Sequence, residues 1–187
     1  MRTNILFLLC VASPEGLNSI IIFINQKNAC SYIYLPMRLE EALKTTNFAN
    51  ETHKATLNLI YTTYWLRSHF TGAMKDHGIT MEQFNVLRIL KGKHPEQMCV
   101  KDIGSRMIEK SSNVPRIIDK LILKELVERG QSAEDKRETL VRLTDKGVAL
   151  LQEANAALEV STKGILGLTE DDATQLNMLL EKMRKVD

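Results

Sequence analysis

Beyond Met37 the apolar positions recur at the helical period of about 3.6 residues, and the breaks in that recurrence divide the chain into elements. Asn50 stands where a helix N-cap is wanted. Leu57, Ile60, Tyr61, Tyr64 and Trp65 then fall on one broad stripe of a helix running to about Lys75. Gly78 supplies the stop. Thr80 followed by Gln83 spells a capping box, and Met81, Phe84, Val86, Leu87, Ile89 and Leu90 make the next helix largely buried, as far as Gly92. A polar connection, Lys91–Gln97, contains Pro95. The pattern next gives a short helix from Val100 to about Glu109. Ser111 and Ser112 then stand as caps for another, from about Ser112 to Lys124, with Pro115 in its first turn, where a missing N–H costs little. Leu126–Arg129 reads as a short strand and Thr139–Leu143 as an alternating one, separated by a polar stretch too long for a tight hairpin. Thr144 caps a long helix from Asp145 to about Leu166, and Thr169 with Asp172 opens a last one through Met183.

A short helix followed by a capped helix is a helix-turn-helix pattern, and a two-stranded wing directly after it makes the winged form. The fold class is therefore mainly α with a small β-wing: a winged core at about residues 79–146, flanked by long helices at about 50–75 and 145–187. Residues 37–187 read as one domain. The first 36 residues differ. They hold two apolar runs, Ile5–Ala12 and Ile20–Ile24, around Ser-Pro-Glu-Gly, and neither reaches the ~20 residues needed to span a bilayer. The first run has a secretory look, but Pro14 and Glu15 follow at once. The expectation is a soluble chain starting at Met37, with residues 1–36 a doubtful extension that would form a poorly packed arm.

Composition changes this picture little. With 187 residues, 44% hydrophobic and 26% charged, the chain can bury a core without staples. Cys10, Cys30 and Cys99 are odd in number and widely spaced, which argues against a disulfide framework or zinc ribbon and for a reducing, cytoplasmic location. The four histidines show no metal-pair spacing, and no P-loop, nucleophile elbow or dinucleotide fingerprint is present, so neither a cofactor nor an enzyme is expected. The net charge of +2 is uninformative for DNA binding. Between Val100 and Gly147, eleven cations face nine anions, a modest local surplus.

The helix from Ser112 is the candidate reader. Val114, Ile117, Ile118, Leu121 and Ile122 define its buried side, while Ser112, Asn113, Arg116 and Lys120 fall largely elsewhere. Arginine can bond bidentately to guanine and asparagine to adenine in a major groove, and a helix N-terminus favours a nearby phosphate. An isolated surface helix would carry the same residues for solvation; its place between a short helix and a wing favours groove contact.

Three stretches bring the sequence close to a known family: GITMEQFNVLRIL (Gly78–Leu90), SSNVPRIIDKLILKELVER (Ser111–Arg129) and EDKRETLVRLTDKG (Glu134–Gly147), the last with Asp-x-Arg followed by Leu-Thr-x-x-Gly. Over about Asn50 to Asp187 the chain resembles the MarR family of bacterial regulators. The resemblance implies a repressor that binds a palindromic double-stranded DNA operator as a homodimer through the flanking helices. In it Arg137 would enter the minor groove, Asp135 would hold its guanidinium, and Lys136 would touch phosphate; Ser111 joins the DNA-contacting set. The resemblance also implies a small phenolic or lipophilic effector in a cleft that Tyr61, Tyr64, Trp65, His69 and Phe70 could line, though aromatics at helical spacing also build cores. Cys99 reads as a small buried hydrophobe. The alternatives are a winged helix that binds protein and a regulator that senses redox state through cysteine. No membrane partner is expected.

Overall fold

The computed structural model describes residues 9–12, 19–24, 30–34, 37–110, 113–131 and 138–184. The chain divides into two compact units, residues 1–61 and 62–187.

In the first unit β1 (Leu9–Ala12), β2 (Ser19–Ile24) and β3 (Cys30–Tyr34) form an antiparallel sheet in sequence order, with Leu9 opposite Ile22 and Ile21 opposite Ile33. The two apolar runs of the sequence mark β1 and β2. The third strand was not expected, although Cys30, Tyr32, Ile33 and Tyr34 are residues that suit a strand. A short helix, α1 (Leu39–Leu43), follows and ends on Lys44 in the left-handed region, φ 52°. Lys54 Nζ lies 2.7 Å from the Glu40 carboxylate, and that hydrogen bond is the main reason the Glu40 carboxyl titrates at about 2.

Helix α2 (Glu51–Asp76) begins, as expected, on Asn50, whose Oδ1 accepts the His53 N–H at 2.8 Å. Met74 is its one buried side chain, and Ile60 and Tyr64 stand exposed. Gly78, at φ +66°, turns the chain after α2 in the region that favours glycine.

The second unit carries the core. Helix α3 (Met81–Lys91) starts on the expected capping box: the Thr80 hydroxyl accepts the Gln83 N–H at 3.2 Å and Gln83 Oε1 accepts the Thr80 N–H at 3.1 Å. The strand β4 (Met98–Cys99), helices α4 (Val100–Arg106) and α5 (Val114–Leu123), and strands β5 (Val127–Gln131) and β6 (Thr139–Leu143) complete the winged region. The sheet is antiparallel with order β4-β6-β5, Met98 opposite Val141 and Val127 opposite Leu143. Helices α6 (Asp145–Leu166), capped by Thr144, and α7 (Glu170–Met183), opened by the Thr169–Asp172 box, follow as expected. Phe84, Leu87 and Leu90 of α3, Ile103 of α4, Ile118 and Leu121 of α5, Val141 of β6 and Leu151 of α6 form one buried cluster. Helices α3, α4, α5 and α6 thus each contribute an apolar face to a common core.

Helix α6 meets the end of α5 closely. A Cβ on Gly147 would lie 2.0 Å from the Leu126 carbonyl oxygen, so the glycine of the Leu-Thr-x-x-Gly pattern is there for backbone approach. Thr144 fixes the same junction: its N–H reaches Leu126 O at 3.2 Å and its hydroxyl Glu125 O at 2.7 Å. On α7, by contrast, nothing is buried; Leu176, Met178, Leu179 and Met183 are exposed.

Candidate nucleic-acid interface

The start of α5 departs from expectation. Its cap is Asn113, whose Oδ1 accepts the Arg116 N–H at 3.2 Å, and the helix opens at Val114 rather than Ser112. Proline explains the shift. A cap accepts from the third helical residue; with Ser112 as cap that residue is Pro115, which has no N–H, whereas Asn113 finds the amide of Arg116. The Asn113 carbonyl is thereby committed to the backbone, and its amide NH2 remains as a donor. Helix α4 also ends early, at Arg106, because Met107 is extended with ψ 139°.

The two faces of α5 separate cleanly. Val114, Ile118 and Leu121 are buried, Ile117 and Ile122 partly so. Asn113, Pro115, Arg116, Asp119, Lys120 and Leu123 are exposed, and Arg116, Lys120 and Leu123 follow one another at helical spacing on one stripe. Leu123 is 84% exposed.

Ion pairing redistributes the charge counted in the sequence. Asp119 pairs with Arg129 of β5, Glu128 with Arg142 across the sheet, and Glu125 with Lys146 at 2.7 Å. The last contact holds the Glu125 carboxyl below its ordinary range. Among the described residues, Lys101, Arg106, Lys110, Arg116 and Lys120 make no ion pair. The positive potential that a phosphate backbone would meet therefore concentrates on α4, α5 and the turn between them.

Sequence reasoning missed two contacts that seat α5. Arg67 of α2 places Nη1 2.7 Å from Glu109, in the turn before α5, and Nη2 3.4 Å from Glu82 of α3. Lys124, just past α5, donates to Gly78 O and, at 3.1 Å, to Gln83 Oε1, a nearly fully buried acceptor. Both are long-range pairs of ordinary surface residue types, and no local pattern announces them.

The other candidates divide. Ser111, Ser112, Asp135, Lys136 and Arg137 lie outside the described residues. Of the aromatic set, Trp65 and His69 meet edge to face at 4.8 Å, while Tyr64 is 72% exposed and Phe70 half-buried. Tyr61, in the first unit, gives its hydroxyl to Met37 Sδ at 3.5 Å. A cleft of about 460 Å³ in the second unit is lined instead by Arg67, Thr71, Lys75, Gly78, Ile79, Thr80, Met81 and Glu82. Cys99, expected as a buried hydrophobe, is half-buried, and its Sγ accepts the Asp102 N–H at 3.4 Å as the cap of α4. No group of potential metal ligands gathers among the described residues, and none of their helices is long and apolar enough to cross a membrane.

Comparison with known proteins bears on the same region. Residues 79–147 match the family model described as a winged helix DNA-binding domain. An uncharacterised HTH-type transcriptional regulator of Bacillus subtilis, YkoM, is 36% identical over 110 residues, 58% of this chain and 70% of that protein. MhqR, an HTH-type transcriptional regulator of the same organism, is 30% identical over 122 residues, 63% of this chain and 81% of that protein. Among solved structures, a MarR transcription factor of Planctomyces limnophilus superposes with a TM-score of 0.58 at 28% identity, over 73% of this chain and 98% of that one. A mutant MarR of E. coli complexed with operator DNA superposes with a TM-score of 0.60 at 22% identity, over 75% of this chain and all of that one.

Proposed function

The chain belongs to the MarR family of winged helix-turn-helix transcriptional regulators, and on that premise we propose that it is a cytoplasmic, homodimeric repressor of a palindromic operator, released by a small-molecule effector. The observation that carries the DNA-reading part is the division of α5: one side packed into the core, the other presenting Arg116 and Lys120 without ion-pair partners among the described residues. In this reading α5 lies in the major groove. Arg116 reads a guanine edge, Lys120 meets phosphate, the Asn113 amide donates to a base or phosphate acceptor, and Leu123 contacts a thymine methyl. Asp135, Lys136 and Arg137, between β5 and β6 in the sequence, and Ser111 and Ser112, just before α5 in the sequence, take the groove and phosphate roles that the family resemblance implies.

A single α5 spans only a few base pairs, so specificity asks for two copies. The exposed apolar residues of α7, with Leu176, Leu179 and Met183 at helical spacing, and Ile60 and Tyr64 on α2 support burial between protomers. A dimer covering a promoter represses by occupancy. The chain performs no chemistry in this reading, and the effector acts by favouring a conformation in which the two α5 helices no longer fit successive grooves.

The test is selection of DNA from a random library by the purified chain, with mass measured by light scattering. A dimer that enriches a palindrome with half-site centres about one helical turn apart is expected. A folded monomer, or a folded dimer that enriches no sequence, contradicts the reading.

A further inference from the structure

Helix α5 is held differently at its two ends. At the C-terminal end, Lys124 donates to the Gly78 carbonyl and, at 3.1 Å, to Gln83 Oε1. Gln83 is only 3% exposed, and its Oε1 also accepts the Thr80 N–H that opens α3. Gly78 turns the chain at φ +66°, so both acceptors sit on a corner fixed by backbone conformation and a capping box. Lys124 is half-buried and pairs with no carboxylate among the described residues; two carbonyl oxygens meet its charge there. From the other side, the Thr144 hydroxyl donates to Glu125 O at 2.7 Å and the Thr144 N–H to Leu126 O at 3.2 Å. Ahead of the N-terminal end, the long-range polar attachment is Arg67 to Glu109, both exposed, and such a pair contributes little.

The buried side of α5 sets its depth, yet apolar contacts carry no direction, so directional hydrogen bonds decide its tilt. Arg116 precedes Lys124 by eight residues, about 12 Å along the helix axis. At that distance a tilt of about 5° displaces it by about 1 Å. The distance window of a good hydrogen bond is about 0.5 Å wide, so a base contact from Arg116 is lost to such a tilt. A phosphate contact from a flexible lysine adjusts to it.

We propose that Lys124 is a positioning residue for base recognition: by tying the C-terminal end of α5 to the Gly78 carbonyl and Gln83, it fixes the tilt at which Arg116 meets the major groove. The inference rests on the reading of α5 as the DNA-reading helix and adds a residue that governs specificity without touching DNA.

Fluorescence anisotropy on the full chain tests this, with DNA selected from a random library and its scrambled counterpart. Wild type, Lys124→Met, Arg116→Ala and the double variant are compared. Methionine keeps the apolar stem but cannot donate. Lys124→Met is expected to bind selected DNA about tenfold more weakly, the worth of one good base contact, with scrambled binding and salt slope as in wild type. In the Arg116→Ala background the same change is expected to cost less than about twofold, because the contact it aims is already gone. Lys124→Gln, shorter and still polar, stands in if Lys124→Met does not fold. Three results would overturn the proposal: equal weakening of both DNAs, which marks a general loss of structure; a salt slope lowered by about 1, which marks a phosphate contact; and an undiminished loss in the double variant, which bypasses Arg116. The proposal fails by itself if Arg116→Ala loses selected binding and Lys124→Met does not. If Arg116→Ala binds as wild type does, the reading of α5 falls and takes the proposal with it.

Discussion

Gly147 offers the sharpest test of how the winged core is joined to α6. It is the third residue of that helix, its N–H bonded to the Thr144 hydroxyl at 3.0 Å. Replacing it with alanine places Cβ 2.0 Å from the Leu126 carbonyl oxygen, 3.0 Å from the carbonyl carbon and 3.2 Å from a methyl of Leu143. The first contact is with backbone, so no rotamer change relieves it, and α6 must retreat by about 1 Å or more to reach an ordinary separation. Overpacking of this kind costs about 1–3 kcal/mol. The retreat also stretches the bonds from Thr144 to Leu126 O and Glu125 O, each worth about 1 kcal/mol. Against this stands the helical advantage of alanine over glycine, at most about 1 kcal/mol. The net destabilisation is about 2–3 kcal/mol, which for a chain of this size lowers Tm by roughly 5–10 °C. Thermal and urea denaturation followed by circular dichroism measure it. A Gly147→Ala protein as stable as wild type, or more stable, would refute the steric reading and leave the glycine unexplained.

Other expectations follow from the same geometry. Asn113→Ala removes the cap of α5 and is expected to cost about 1 kcal/mol, while Asn113→Ser, which can accept the same N–H, retains most of it; urea titration distinguishes them. Leu179→Glu places a charge in the exposed apolar stripe of α7 and is expected to convert a dimer to monomer in light scattering without loss of helicity; a dimer that persists would move the interface elsewhere. Glu40 has a depressed carboxyl, so the Lys54 contact is fully present above its ordinary value of 4.5 and is lost as pH falls through about 2. In Lys54→Ala the Glu40 titration followed by NMR is expected to return towards 4.5.

The sequence was most informative where structure is local. Thr80–Gln83, Thr144 and Thr169–Asp172 each announce a helix start within three residues, and all three begin helices where expected. The start of α5 was misread although its signal was equally local: Ser111, Ser112 and Asn113 are all good caps, and the missing N–H of Pro115 weighs against Ser112. Strand β4 escaped because two residues carry no period; it exists only through pairing with Val141 and Leu140, some forty positions away. Arg67–Glu109, Asp119–Arg129 and Lys124–Gln83 were illegible for the same reason, since charges on exposed faces look alike until the fold selects partners.

The central claim is that the exposed face of α5 reads DNA, and the salt dependence of operator binding tests it most directly. Fluorescence anisotropy would compare wild type, Arg116→Ala and Lys120→Ala on selected DNA and on scrambled DNA at several salt concentrations. Arg116→Ala is expected to lose about 1–3 kcal/mol on selected DNA only, with relaxed preference at one base pair. Lys120→Ala is expected to weaken both DNAs alike and to lower the salt slope by about 1. If both folded variants bind as wild type does, α5 is not the reading helix and the account fails at its centre.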